Sequence, residues 1–159
     1  MERLLPFAQQ IGDALQARGE TLAISESSSG GLISAALLAV PGASKFYRGA
    51  AVVYTPNAFR GLMGLGKDDL GDMRSATEPY ALLMARTVRA KMRTTWGLCE
   101  TGASGPGGNF YGDEAGHVCI GVVGDTETSR TLETGLTDRV ENMYLFAEAA
   151  MALLSEQLT

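Results

Sequence analysis

Two polar turns carry most of the side chains able to do chemistry. The first is Glu26-Ser27-Ser28-Ser29-Gly30-Gly31, and the second is Gly102-Ala103-Ser104-Gly105-Pro106-Gly107-Gly108; each follows an apolar run. A serine in such a turn is a candidate nucleophile, but at neutral pH it needs a base to take its proton. Glu26 and Glu100 each end an apolar stretch, where a carboxylate is costly unless exposed or paired. Glu100 reads in two ways: as a general base with a raised pKa, or as a carboxylate hydrogen-bonded to loop N–H groups. Tyr54 also ends an apolar run. It either offers its hydroxyl or ring face to a substrate, or packs in the core with a wet hydroxyl. The one histidine, His117, has no evident partner and reads as structural rather than as a triad base.

The elements that must position these groups follow from periodicity. Leu4, Ala8, Ile11 and Leu15 recur at helical spacing and predict a helix over 4–18, closed by Gly19. Residues 21–25 read as a buried strand, and residues 32–40 as a helix broken by Pro41-Gly42. A strand follows over 46–54 with Gly49 as a bulge, then a short helix over 56–63. Thr77-Glu78-Pro79 has the cap, first-turn acid and early proline of a helix start, and that helix runs to Arg93. Residues 96–101 read as a strand, 116–123 and 128–134 as a hairpin, and 138–157 as a last helix opened by Asp138 and Glu141. Strands separated by helices predict a parallel sheet, and the hairpin adds an antiparallel part. The expected fold is one α/β domain over residues 1–159, a three-layer α/β/α sandwich around a mixed, mostly parallel sheet. The serine turn then joins a strand to a helix. That arrangement presents backbone N–H groups to an anion, and the second turn adds more. Both turns also read as purely structural. Neither fits the Walker A or the dinucleotide-binding glycine pattern.

Composition narrows the function classes. With 45% hydrophobic and 19% charged residues the chain is globular, not disordered. The net charge of −5 argues against a nucleic-acid partner, and Arg86, Arg89, Lys91 and Arg93 read as a solvated helix face. Cys99 and Cys119 each sit in an apolar run and read as buried thiols of a reducing compartment. One histidine and two distant cysteines make no zinc site. No apolar run is long enough to span a membrane, and the N-terminus lacks a signal-peptide pattern, so a cytoplasmic location is expected.

Several segments together resemble the C-terminal domain of the competence/damage-inducible protein CinA. Glu26-Ser27-Ser28-Ser29-Gly30-Gly31 is similar to that family's Glu-Ser-Cys-Thr-Gly-Gly motif. Val40-Pro41-Gly42-Ala43-Ser44 is similar to its Pro-Gly-Ser-Ser segment, and Val53-Tyr54 to the start of Tyr-Ser-Asn-Glu-Ala-Lys. Ala76-Thr77-Glu78-Pro79 corresponds to Val-Ser-Glu-Pro, Thr101 to Gly108 to the Gly-Ile-Ala-Gly-Pro-x-Gly-Gly loop, and Gly116-His117-Val118 to Gly-Thr-Val. The resemblance implies an α/β/α fold, a homo-oligomer and, for active members, metal-independent and cofactor-free hydrolysis of nicotinamide mononucleotide to nicotinic acid mononucleotide and ammonia. The implied partner is a small pyridine nucleotide or related amide. Ser27 aligns with the motif serine as nucleophile and Tyr54 with a site tyrosine. Glu26, Ser28, Ser29, Gly30, Gly31, Ser44, Gly102, Ser104, Gly105, Gly107 and Gly108 are the implied ligand-binding positions. The chain also departs from the pattern. The family lysine falls at Phe59, Lys-Pro-Val becomes Asp113-Glu114-Ala115, and an apolar strand position becomes Glu100. Gly-Asp-Arg becomes Gly135-Leu136-Thr137, with Arg139 as a shifted substitute for the arginine. These departures point to an alternative, a catalytically impaired paralogue that binds a nucleotide-like ligand or a protein partner without hydrolysis.

Overall fold

The computed structural model describes residues 1–159. Helix α1 (Leu5–Arg18) buries Ala8, Ile11 and Leu15 completely on one stripe and stops at Gly19, whose φ of 65° suits a residue without Cβ. Strand β1 (Leu22–Glu26) is buried throughout. Then come α2 (Leu32–Leu38), β2 (Tyr47–Val52), α3 (Pro56–Gly61), α4 (Lys67–Leu70) and α5 (Glu78–Met92). Strands β3 (Trp96–Ala103), β4 (His117–Val123) and β5 (Glu127–Glu133) precede α6 (Arg139–Leu158). The expected caps form: Thr77 Oγ1 accepts from Tyr80 N–H at 3.4 Å and Asp138 Oδ1 from Glu141 N–H at 2.9 Å.

The sheet order is β2-β1-β3-β4-β5. β1 is parallel to both β2 and β3, whereas the β3–β4 and β4–β5 pairings are antiparallel. The sheet is therefore mixed as expected, but it is half parallel rather than mostly so. The reason is local: residues 104–116 contain no crossover helix, so β4 returns antiparallel beside β3. Leu22 pairs with Tyr47 and Ala23 with Gly49, which leaves Arg48 as the extra residue of a bulge.

Helices α1, α2 and α6 cover one face, packing Ile11, Leu37, Phe146 and Leu154 on Leu22, Ile24, Leu98 and Ile120. Helix α5 covers the other, with Met84, Ala85 and Val88 on Ala23, Cys99 and Cys119. Gly97 and Gly121 let α5 lie close to the sheet; a Cβ at Gly97 would stand 2.1 Å from Ala85 O. Strand alternation then decides where the acids go. Leu22, Ile24 and Glu26 share a face, as do Trp96, Leu98 and Glu100, so both glutamates turn toward the α2/α6 side.

Candidate functional site

The three parallel strands end on one edge, and a cavity of about 430 Å³ opens there on the α5 side. Its wall draws on Ser27 after β1, Tyr54 after β2, Phe59 and Arg60 of α3, Lys67 of α4, Tyr80 of α5, and Thr101 and Gly102 of β3. Asn109 and Tyr111 come from the long loop after β3. This is the carboxyl edge of the strands, where ligands of open α/β sheets bind.

The three consecutive serines take different roles. Ser28 Oγ donates to Gly102 O at 2.6 Å, tying the serine turn to β3. Ser29 Oγ donates to Glu100 Oε2 at 2.7 Å and is fully buried. Ser27 is half-buried and lines the cavity, and its Oγ alone of the three has no protein partner. Its backbone is held all the same: Ser27 N–H donates to Glu100 Oε2 at 2.9 Å and Ser29 N–H to the same oxygen at 3.0 Å.

Glu100 therefore sits under the turn and does not line the cavity. Of the two readings open for it, the hydrogen-bonded carboxylate is the one the structure contains, and the general-base reading is corrected. Burial pushes its carboxyl up, and the donors from Ser29 and Ser27 offset that only in part. Glu26 is equally buried, and its Oε1 accepts from Ser34 N–H at the start of α2 at 2.8 Å. Burial pushes Glu26 up to about 7, against the pull of Ser34 N–H and with a further push from Glu100. The expectation that this turn offers its N–H groups to an external anion is corrected too. Ser27 N–H and Ser29 N–H go to Glu100, Gly30 N–H donates to Ser27 O and Leu32 N–H to Ser29 O. The anion at this turn belongs to the protein. Glu26, Ser28, Ser29, Gly30 and Gly31 do not line the cavity.

The second turn contributes Gly102 to the wall, whereas Ser104, Gly105, Gly107 and Gly108 lie outside it. Ser104 O accepts from Asn142 Nδ2 at 2.8 Å, and Gly105 O accepts from Arg139. Gly108 packs against Asp113, whose O would stand 2.0 Å from a Cβ there. Arg139 also donates to Tyr54 Oη at 3.0 Å, next to the cavity but not in its wall. Tyr54 is 59% exposed, which removes the core-packing reading. Ser44 is not brought to the site. It precedes β2 and the cavity follows it, and six residues of strand at ~3.3 Å each separate the two by roughly 20 Å.

Phe59, at the position of the family lysine, does reach the cavity, whereas Arg60 and Lys67 were assigned no site role from the sequence. Phe59 stacks on Tyr80 with ring centroids 6.0 Å apart. Arg60 and Lys67 line the cavity without carboxylate partners; Arg60 Nη2 donates only to Asn57 Oδ1, at 2.7 Å. No aspartate or glutamate lines the cavity at all. The sole hint was weak: Gly66 N–H donates to Asp69 Oδ2 at 2.8 Å, a single bond that starts α4 and brings Lys67 to the rim. The loop wall is braced from outside. Arg74 forks onto Asp113 at 2.7 and 3.0 Å and lies over the Tyr111 ring at 4.9 Å.

His117 is structural as expected. Nε2 faces Ala76 O at 2.8 Å and Nδ1 faces the Glu133 carboxylate. Burial pulls its pKa down, but these two acceptors outweigh burial and hold it above the usual 6.5. Cys119 Sγ lies 3.6 Å from Nε2, yet Ala76 O engages that nitrogen and burial pushes the thiol up, so the pair is no nucleophile. Arg86 pairs with Glu127 at 2.5 Å at the other end of α5, away from the cavity. No helix is long and apolar enough to cross a membrane.

Comparison with known proteins agrees with this architecture. Residues 5–158 match the model of the CinA C-terminal domain. A CinA-like protein of Gloeobacter violaceus is 42% identical over 110 residues, 69% of this chain and 26% of the relative. One of Trichormus variabilis is 34% identical over 155 residues, 96% of this chain and 37% of the relative. The chain thus spans about a quarter to a little over a third of the length of these curated relatives. In three dimensions it matches a CinA superfamily protein of Enterobacter cloacae at TM-score 0.90 and 23% identity, over 98% of this chain and 92% of that one, a likeness of fold alone. The competence damage-inducible protein A of Klebsiella pneumoniae gives a TM-score of 0.89 at 25% identity, over 96% and 95%. The serine turn at the strand edge, the glycine loop beside it and these matches together place the chain in the CinA C-terminal domain family.

Proposed function

We propose that this chain hydrolyses the carboxamide of a pyridine nucleotide, converting nicotinamide mononucleotide to nicotinic acid mononucleotide and ammonia. The observation that carries the reading is Ser27 Oγ. It is a hydroxyl without a protein partner, on a turn pinned from below, facing a cavity with aromatic walls and free cations. Ser27 Oγ adds to the carboxamide carbon. Its proton passes to the departing nitrogen, the C–N bond breaks and ammonia leaves. Water then opens the acyl-serine, releasing the acid and restoring Ser27. Phe59 and Tyr80 give the planar ring a face to pack on, and Arg60 and Lys67 give the phosphate cationic partners. Ammonia release by the purified protein tests this directly. Wild type should release it, and Ser27→Ala should lose activity by about a thousandfold or more. No turnover of any pyridine nucleotide at high enzyme concentration would contradict the proposal.

Phe59 favours a second reading, binding without hydrolysis, because phenylalanine cannot take the proton of Ser27 where the resemblance implies a lysine. On that reading wild type and Ser27→Ala bind the nucleotide equally and neither releases ammonia, whereas Phe59→Lys gains activity.

A further inference from the structure

Strands β1 and β3 run side by side with Ser25 paired to Cys99, so Glu26 and Glu100 are the next residues along and project from the same face. Both are completely buried. Each has one engaged oxygen, Glu26 Oε1 by Ser34 N–H and Glu100 Oε2 by Ser27 N–H, Ser29 N–H and Ser29 Oγ. The other two, Glu26 Oε2 and Glu100 Oε1, are inaccessible and meet no donor.

The surrounding elements bring no cation. Helix α2 has no charged residue. The first turn of α6 carries Arg139 and Glu141, but Arg139 is taken up by Gly105 O and Tyr54 Oη and Glu141 by Arg3, so Asn142 and Met143 are what α6 presents here. Ile120 of β4 lies opposite Glu100. The titratable neighbours are the Tyr47 phenol and the Cys99 thiol, both neutral at pH 7 and pushed up by burial. Two adjacent buried carboxylates cannot both ionise cheaply, and each orphan oxygen needs a partner. One proton answers both demands.

We propose that Glu26 and Glu100 share a single proton at neutral pH, in a hydrogen bond from Glu26 Oε2 to Glu100 Oε1, and that this bond positions the Ser27–Ser29 turn. The proton rests on Glu26, because the three donors on Glu100 Oε2 favour the ionised form there. The pair keeps one negative charge, and the N–H groups of Ser27 and Ser29 converge on it. Removal of the last proton to solvent leaves two facing carboxylates, which separate and loosen the turn. The raised position of Glu26, about 7, fits this arrangement. Both glutamates are positioning residues, and the proposal stands independently of the amide-hydrolase reading.

The test uses the full chain with carbon-13 at the glutamate Cδ, followed by NMR or infrared difference spectroscopy across pH. Wild type should show one protonated buried glutamate at pH 7 that titrates away as pH rises further. The signal should be absent from both Glu26→Gln and Glu100→Gln, since each amide replaces the shared proton with its own N–H. Amide exchange gives a second readout. Ser27 and Ser29 N–H should lose protection in wild type as the pair loses its proton, whereas Glu26→Gln should keep it at every pH. Glu100→Gln carries the spectroscopic test alone should Glu26→Gln fail to fold. Two ionised glutamates at pH 7, two neutral ones, or a protonated signal that survives both substitutions would overturn the proposal. Protection of Ser27 and Ser29 that ignores pH in wild type would overturn the positioning role. Neither readout involves turnover, so absence of amide hydrolysis leaves the result unaffected.

Discussion

Ser27 divides two environments of opposite character. Below it, on the α2/α6 side, are two buried carboxyl groups and no cation. Above it, on the α5 side, is a cavity with Arg60, Lys67 and aromatic rings and no carboxylate. One turn separates the two because strand alternation sends Glu26 and Glu100 to one face and the cavity opens on the other. The comparison teaches that the backbone donors of this turn serve the protein's own anion. An external anion must find its partners in side chains from α3 and α4. The lower side should therefore govern stability and the upper side affinity.

The largest effect is expected below. Glu100→Leu strands two N–H groups and a hydroxyl in a dry site, at about 3 kcal/mol or more. Thermal denaturation should show a melting temperature lower by roughly 10 °C. Next comes the upper side. Arg60→Ala and Lys67→Ala should each weaken binding of a phosphate-bearing ligand about tenfold, read by titration calorimetry, with the melting temperature unchanged. A loss of stability in these variants, or a loss of affinity without loss of stability in Glu100→Leu, would break the division.

A subtler effect concerns pH and the far wall. His117 is held above 6.5 in the fold, so its stabilisation is complete below the unfolded value and is lost as pH rises through the higher folded one. Glu26 acts with the same sign, its contribution present below 4.5 and lost as pH climbs through about 7. Melting temperature should therefore fall from mildly acidic to mildly alkaline pH, and His117→Gln should flatten only the later part of that fall. The smallest effect is Tyr54→Phe. It removes an exposed contact to Arg139 and should change stability by less than about 0.5 kcal/mol.

Much of this was legible in the chain. Apolar stripes and caps such as Thr77 and Asp138 marked the long helices, and the apolar runs marked the strands, because burial and capping are local properties of sequence. Ser27 was legible because a polar turn after a buried strand has one natural place in an α/β sheet. Other features depend on contacts far apart in sequence. Arg60 and Lys67 reach the cavity from short helices with little periodicity, and α4 has four residues. Glu100 looked equally like a base or a bonded carboxylate until the Ser27–Ser29 turn was seen to fold onto it. Ser44 belonged to a motif that matched, yet β2 carries it to the opposite edge of the sheet.

Turnover of nicotinamide mononucleotide beside its riboside, which lacks the phosphate, tests the upper side and Ser27 together. The account predicts ammonia from the mononucleotide and at least about tenfold less from the riboside at equal low concentration, with the difference removed in an Arg60→Ala/Lys67→Ala double variant. Equal turnover of both by wild type, or turnover that survives Ser27→Ala, would contradict it.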